Sequence, residues 1–156
     1  MAIVDLDRAL GDSGRVLLDT SALIAFHTPA ETAHPLARHV LERIGDHADP
    51  LRGYYSYLTA AELFIRPIRT SDERFRFMHA FLADFPNLTG LPLDMVVAVQ
   101  AATLRATLNL PVVDAAVIAT GMLAGCEAIV TNDERWKRRG APLFPQFRWV
   151  YLDDFR

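Results

Sequence analysis

The sequence predicts an α/β fold in which helices cover both faces of a short, mainly parallel sheet. Short apolar runs alternate along the chain with longer segments of helical periodicity, and strands separated by helices typically form a parallel sheet. The chain has 156 residues, the length of one domain, and 51% of them are hydrophobic, enough for one substantial core. We therefore expect a single domain over residues 1–156, in which residues 1–14 form an N-terminal extension ahead of the first strand.

The predicted elements of the first half begin with a buried strand at residues 15–18 and a short helix at 21–27. Pro35 lies in the first turn of a longer helix at 34–46, because proline is tolerated where the helix needs no amide donor. The aromatic run at 54–58 indicates a second strand.

Proline and capping residues delimit the next two helices. The helix after the second strand should end or kink at Pro67, which lacks an amide proton and clashes with the preceding turn. Thr70 and Glu73 have the spacing of a capping box, so we expect a helix to begin there and to run through Asp84. Residues 87–93 then form a turn or a short strand.

The second half contains two long apolar helices. Asp94 caps the first, which extends to about residue 108. Pro111 opens the second, and Gly125 lies where a left-handed cap would end it. The remaining predicted elements are a strand at 127–131, a short polar helix at 133–139 and a last strand at 148–152.

The composition excludes several classes of protein. Charged residues make up 22% of the chain and the net charge is −3, which argues against disorder and against nucleic-acid binding through a basic field alone. No apolar run approaches the roughly 20 residues that cross a bilayer, and no signal peptide begins the chain. The single cysteine, Cys126, cannot form an internal disulfide. We expect a cytoplasmic protein that does not contact a membrane.

Three carboxylates follow predicted strands closely. Asp19 comes directly after the first strand, Glu62 lies one short turn after the second, and Asp133 follows the strand at 127–131. The carboxyl ends of parallel strands meet at one edge of a sheet, and ligands bind there. We therefore expect these three acids to lie at the same edge.

Asp114 is the most informative acid. It is the only charged residue in the stretch 110–126, whose apolar character places its helix in the centre of the fold. A buried carboxylate costs several kcal/mol unless it is paired, hydrogen-bonded or bound to a metal. Its place in the first turn of that helix also allows a simpler role, because an anion stabilises a helix N-terminus.

Each of the other acids also has a structural explanation. Asp19 and Asp133 could cap helices, and Glu62 could pair with Arg66 across one helical turn. Four acids at one sheet edge, however, would repel one another, and a divalent cation removes that repulsion. Mg²⁺ or Mn²⁺ suits carboxylate and water ligands, and such a site suits hydrolysis of a phosphodiester.

Polar and basic residues adjoin the acids in sequence. Three of them are placed to support the metal ligands: Ser21, Thr131 and Asn132. Four basic residues follow Asp133 and are candidates for contact with an RNA backbone: Arg135, Lys137, Arg138 and Arg139. An ordinary solvated surface is the alternative for the basic group.

The segments VLLDTSALIAF, TAAELF and LPVVDAAVIATGMLAGCEAIVTND resemble the PIN domain, in particular the VapC-type toxin ribonucleases of VapBC toxin–antitoxin systems. The resemblance extends from about residue 16 to 151, and its most specific part lies at 111–133. It implies a PIN-like three-layer α/β/α sandwich with a short, mainly parallel central sheet. By match, the catalytic and metal-binding acids are Asp19, Glu62, Asp114 and Asp133.

The resemblance also implies an activity and partners. The implied activity is that of a Mg²⁺- or Mn²⁺-dependent endoribonuclease, the toxin of a type II toxin–antitoxin system, which hydrolyses RNA phosphodiester bonds with a metal-activated water. The implied partners are an RNA substrate, a cognate antitoxin and a second copy of the chain in a homodimer. The acids alone do not distinguish RNA from DNA, so a nuclease acting on DNA stays open, as does a non-catalytic PIN-like RNA-binding or interaction module.

Overall fold

Five parallel strands form the central sheet of the computed structural model, which describes residues 2–156. They are β1 (Arg15–Leu18), β2 (Arg52–Ser56), β3 (Leu88–Leu91), β4 (Ala128–Thr131) and β5 (Arg148–Tyr151). Their order across the sheet is β3-β2-β1-β4-β5, and each neighbouring pair is parallel. The predicted parallel sheet is confirmed, and all five carboxyl ends lie at one edge.

Helices connect the strands. Within residues 2–156 they are α1 (Ala2–Leu10), α2 (Thr20–His27), α3 (His34–Gly45), α4 (Tyr57–Thr70), α5 (Asp72–Asp84), α6 (Met95–Leu108), α7 (Val112–Leu123) and α8 (Glu134–Leu143), with a 3₁₀ turn at Leu152–Phe155. In this part of the chain, no helix has both the length and the apolar character of a membrane span.

The two faces of the sheet carry separate apolar cores. Val16 and Leu18 of β1 belong to the core that α1, α2 and α3 cover. Leu17, between them, belongs to the core that α6 and α7 cover on the opposite face. This alternation is the two-residue period of a strand, and it produces the three layers of an α/β/α sandwich.

A tight turn between α7 and β4 returns the chain to the sheet. Gly125 follows the last residues of α7 with φ of +67°, a left-handed conformation that glycine adopts without a steric cost. The predicted glycine cap is therefore confirmed. Because the chain reverses here, the first turn of α7 lies near the carboxyl end of β4, and this turn contains Asp114.

The helix that follows β2 differs from its prediction at both ends. It begins at Tyr57, inside the predicted strand 54–58, because Ser56 caps it by accepting the amide proton of Leu58 at 3.2 Å. It also continues through Pro67 to Thr70. The carbonyl of Pro67 accepts the amide of Ser71 at 3.0 Å, and this bond closes the last turn. The helix therefore lacks only the hydrogen bond that an amide proton at Pro67 would have donated.

Two other helix boundaries were predicted wrongly. The cap of α5 is Ser71, whose hydroxyl accepts the amide of Arg74 at 3.3 Å, and not Thr70, which is the last residue of α4. The polar helix after Asp133 extends to Leu143 instead of ending at residue 139. Its second half is seated against Trp149, a contact that depends on the fold and not on local sequence.

Candidate active site

A cleft of about 490 Å³ opens at the carboxyl edge of the sheet. All four acids singled out in the sequence line it, namely Asp19, Glu62, Asp114 and Asp133. They approach from different sides because four separate elements carry them. The arrangement concentrates negative charge in one concave site.

The topology explains how each acid reaches the cleft. Asp19 follows β1 directly, and Asp133 lies two residues beyond the end of the neighbouring strand β4. Glu62 lies in the second turn of α4, which follows β2 on the other side of β1. Asp114 comes from the first turn of α7. Residues 95 positions or more apart in sequence, such as Asp19 and Asp114, are therefore neighbours in the cleft.

Asp19 is the most buried of the four acids, with 5% of its surface exposed. Its Oδ1 accepts hydrogen bonds from Ser21 Oγ at 2.6 Å and from the amide of Ala22 at 3.0 Å, and its Oδ2 accepts one from Thr131 Oγ1 at 2.6 Å. Burial raises the pKa of Asp19, and these three hydrogen bonds oppose that rise. The carboxylate is fixed in position by both of its oxygens.

The same two hydroxyls also hold the turn between β4 and α8. Ser21 Oγ accepts the amide of Asn132 at 2.7 Å, and Thr131 Oγ1 accepts the amide of Asp133 at 3.0 Å. Ser21 and Thr131 thus connect Asp19 to the segment that carries Asp133. Asn132 contributes through its backbone; its side chain does not line the cleft, and its buried Oδ1 has no hydrogen-bond partner within residues 2–156.

Glu62 and Asp114 each accept a hydrogen bond from a residue of the cleft wall. Thr20 Oγ1 donates to Glu62 Oε2. The indole Nε1–H of Trp136 donates to Asp114 Oδ1 at 3.3 Å. Glu62 is exposed and Asp114 is partly exposed, so both side chains have more freedom than Asp19.

Asp133 is paired with a nearby guanidinium. Arg135 Nη2 lies 3.0 Å from Asp133 Oδ2, and this hydrogen bond lowers the pKa of Asp133. Asp133 also accepts the amide of Arg135 at 2.8 Å and so caps α8. Arg135 and Arg139 both line the cleft, where they supply positive charge beside the acids.

The other two basic residues named in the sequence lie elsewhere. Lys137 Nζ donates to both carboxylate oxygens of Asp154 at 2.6 Å, and it lies over the ring of Tyr151. Arg138 Nε is 3.9 Å from the carboxylate of Glu134. Neither residue lines the cleft.

The chemistry of the cleft fits a hard divalent cation, although its acids are not drawn together in this structure. Within residues 2–156, no three His, Cys, Asp or Glu side chains are close enough to hold one metal ion. The cleft nevertheless offers carboxylate oxygens from four elements, and Thr59 Oγ1 in its wall is buried without a hydrogen-bond partner in the described chain. Carboxylates, a hydroxyl and waters are the ligands that Mg²⁺ and Mn²⁺ prefer.

Sequence reasoning missed several residues of the cleft. They are Thr20, Thr59, Trp136 and Trp149. Helical spacing could have found Trp136, because it precedes the basic residue Arg139 by three positions and therefore shares a face of α8 with it. Trp149 comes from β5, and only the tertiary fold brings it to the cleft.

The model of the PIN domain family matches residues 16–142. The chain belongs to the PIN domain family. The matched residues of this PIN domain include all four acids of the cleft, whereas α1 and β5 lie outside the match. Among curated proteins, none matches the chain by sequence.

Solved structures of toxin–antitoxin proteins share the fold of this PIN domain. A toxin–antitoxin complex from Klebsiella pneumoniae has a chain with TM-score 0.65 and 20% identity, which covers 88% of this chain and 97% of that one. VapBC2 from Rickettsia felis, bound to a DNA fragment from its promoter, gives a TM-score of 0.65 at 14% identity. The match covers 88% of this chain and 98% of that one. VapC20 from Mycobacterium tuberculosis, a sarcin–ricin loop cleaving toxin, gives a TM-score of 0.62 at 16% identity. The match covers 80% of this chain and 95% of that one.

Proposed function

We propose that this PIN domain is a Mg²⁺- or Mn²⁺-dependent endoribonuclease and the toxin of a type II toxin–antitoxin system. The observation that carries the proposal is the cleft lined by Asp19, Glu62, Asp114 and Asp133. Shared fold with VapC20, described as cleaving the sarcin–ricin loop, supports RNA as the substrate. The four acids are the proposed catalytic and metal-binding residues.

The acids divide the work of holding the ion. Asp19 offers a carboxylate that Ser21, Ala22 and Thr131 keep in one orientation, so it requires no reorganisation when the ion binds. Glu62 and Asp114 are less constrained and can turn toward the ion. When bound, Mg²⁺ or Mn²⁺ would polarise the phosphoryl oxygen, lower the pKa of the attacking water and screen the charge of the reacting phosphate.

Arg135 and Arg139 are the proposed contacts for the RNA backbone within the cleft. A guanidinium matches the geometry of a phosphate group and forms two parallel hydrogen bonds with it. The Arg135 side chain is 80% exposed while it pairs with Asp133, so a phosphate can take over this contact at little cost. Lys137 and Arg138 could take part only after leaving Asp154 and Glu134.

The proposed protein partners are a cognate antitoxin and a second copy of the chain. Several structures that share the fold are VapBC toxin–antitoxin complexes. Apolar side chains are exposed on α4, α5 and α6, and contact with a partner would cover them. On α4 and α5 they are Ile65, Ile68 and Phe77, and on α6 they are Met95, Val96 and Val99. The proposed location is the cytoplasm, where a cytoplasmic RNA would be the substrate.

Cleavage of labelled structured RNA and matched DNA by partner-free protein tests the proposed function. With Mg²⁺ or Mn²⁺ we expect cleavage of RNA, and none with EDTA. Asp114→Asn should lower the rate by about a hundredfold or more, because it weakens the ion site. Asp84→Asn changes an exposed acid of α5 that does not line the cleft, and should cleave like the parent protein.

Two outcomes would contradict this proposal in different ways. Metal-dependent cleavage of DNA alone would keep the site and change the substrate. Absence of cleavage of either polymer by folded protein would overturn the nuclease proposal and favour a non-catalytic PIN-like interaction module.

A further inference from the structure

The cleft is much larger than a metal ion requires, and one of its walls is apolar. Its volume is about 490 Å³, and Pro111, Val113 and Phe144 line it together with the two tryptophans of the chain. The lining also includes the four acids, two arginines and three hydroxyl-bearing residues, Thr20, Ser21 and Thr59. An apolar wall beside a few convergent charged groups fits a ligand that has both an apolar ring and an anionic group. A nucleotide is such a ligand.

Trp136 lies where the apolar and the charged parts of the cleft meet. Its Nε1–H donates to Asp114 Oδ1 at 3.3 Å, and its ring contacts Trp149 edge to face, with 6.2 Å between the ring centroids. The side chain is only partly buried, so part of the indole is open to the cleft. The hydrogen bond at one end and the aromatic contact together fix the plane of the ring.

The support behind Trp136 is itself rigid. Trp149 Nε1–H donates to the carbonyl of Phe144 at 3.1 Å. Its ring is seated so closely on α8 that a Cβ at Gly140 would clash with it. Glycine at this position therefore lets α8 approach β5, and the approach holds the two indoles against each other.

We propose that Trp136 is the stacking platform for one nucleobase next to the scissile phosphate. This inference rests on the proposed nuclease function. With the base on the indole, the attached phosphate lies toward Asp114 and the other acids, because the same indole is hydrogen-bonded to Asp114. Stacking on an aromatic face requires an unpaired base and tolerates any of the four. The subsite would therefore select single-stranded or looped segments more than sequence.

Two substitutions separate stacking from mere support of Asp114. Trp136→Leu keeps an apolar side chain but removes the ring, and we expect KM to rise about tenfold with little change in kcat. Trp136→Phe keeps the ring and removes the N–H donor, so KM should stay within about threefold of the parent value. Tyr57→Leu, which alters an aromatic of α4 that is 53% exposed and outside the cleft, is the matched control.

A substrate without the base tests the contact itself. A series of RNAs, each with one abasic nucleotide near the cleavage site, should include one position at which the parent protein loses about tenfold in kcat/KM. Trp136→Leu should lose almost nothing further at that position, because the contact is already absent. Equal losses in both proteins, or an unchanged KM in Trp136→Leu, would overturn the platform.

Binding distinguishes failure of the subsite from failure of the proposed function. If the parent protein cleaves no RNA, the nuclease proposal fails, and the platform is then tested by tryptophan fluorescence of the parent protein and of Trp136→Phe, where Trp149 is the only tryptophan. Saturable quenching by a single-stranded oligonucleotide of mixed sequence in the parent protein, and its loss in Trp136→Phe, would support the subsite. No quenching in the parent protein, or equal quenching in both proteins, would overturn it. Circular dichroism confirms that each variant is folded.

Discussion

Two hydroxyl groups hydrogen-bond a buried carboxylate at the centre of the site. Burial raises the pKa of Asp19, and the hydrogen bonds from Ser21 and Thr131 are the strongest opposing effects. The same hydroxyls accept amides of the segment that carries Asp133. The geometry of the site therefore depends on residues that are not acids.

Thr131→Val removes one of these donors with little change of shape. We expect the free energy of unfolding at pH 7 to fall by about 1–3 kcal/mol, because Asp19 Oδ2 loses its hydrogen bond in a buried place. The pKa of Asp19 should rise further, and RNA cleavage should weaken. Urea denaturation and initial rates measure the two effects.

Thr107→Val is the control, since Thr107 is exposed on α6 and its hydroxyl donates to the carbonyl of Thr103 within the same helix. If Thr131→Val were as stable and as active as the Thr107 variant, the proposed role of Thr131 would be wrong.

At the scale of elements, α2 connects the site to an aromatic cluster at the other end of this helix. The helix begins at the cap Asp19 and ends at His27, whose ring lies 4.4 Å from that of Phe81 on α5. Burial, followed by the nearby His34, lowers the pKa of His27 to about 4. Its buried Nε2 has no hydrogen-bond partner within the described residues.

The depressed pKa of His27 makes a prediction about acid stability. Between pH 6.5 and about 4, the unfolded chain binds the His27 proton and the folded chain does not, so the free energy of unfolding falls as the pH falls. The loss begins below pH 6.5 and should reach about 2 kcal/mol near pH 4. His27→Phe retains the aromatic contact and should remove this part of the decline.

Urea denaturation of the two proteins at pH 7 and pH 4.5 measures the effect. The carboxylates titrate alike in both proteins, so the difference between them isolates His27. An identical decline in both would mean that His27 is not buried in its neutral form.

The elements that the sequence predicts well are those whose signals are local. Asp94 and Gly125 sit at the helix boundaries where capping chemistry places them. Spacing could not decide whether Thr70 or Ser71 caps α5, because both residues carry a hydroxyl. Ser71 is the cap because α4 ends at Thr70. The passage of α4 through Pro67 likewise depends on the contacts that close its last turn.

At the scale of the whole molecule, α1 completes the core on one face of the sheet although it lies outside the family match. Leu6 and Leu10 are fully buried, and the carbonyl of Leu10 accepts a hydrogen bond from Arg148 Nη1 at 2.9 Å. The N-terminal helix α1 is therefore hydrogen-bonded to β5. Its contribution to the fold is structural, since α1 does not line the cleft.

Leu6→Ala tests this contribution. Removing a fully buried leucine side chain should lower the free energy of unfolding by about 2–5 kcal/mol. Ile3→Ala on the same helix, where 44% of the side chain is exposed, should cost far less. Equal and small effects of the two substitutions in chemical denaturation would show that α1 is not part of the cooperative fold.

The sequence predicts those residues of the candidate site whose position depends on chain topology alone. A carboxylate directly after a parallel strand must lie at the carboxyl edge, and this reasoning brings Asp19 and Asp133 to the cleft. Trp149 could not be found in this way, because it reaches the cleft from within β5 through contacts with α8. The same limit applies to the pairing of Lys137 with Asp154, which directs that lysine away from the acids.

We propose that four acids from four elements form one divalent-cation site, and calorimetric titration with Mn²⁺ measures this binding directly. We predict saturable binding by the parent protein and by Asp84→Asn, and binding at least about tenfold weaker for Asp114→Asn. Equal Mn²⁺ affinity in all three proteins, or no binding by the folded parent protein, would show that the four acids do not form one divalent-cation site.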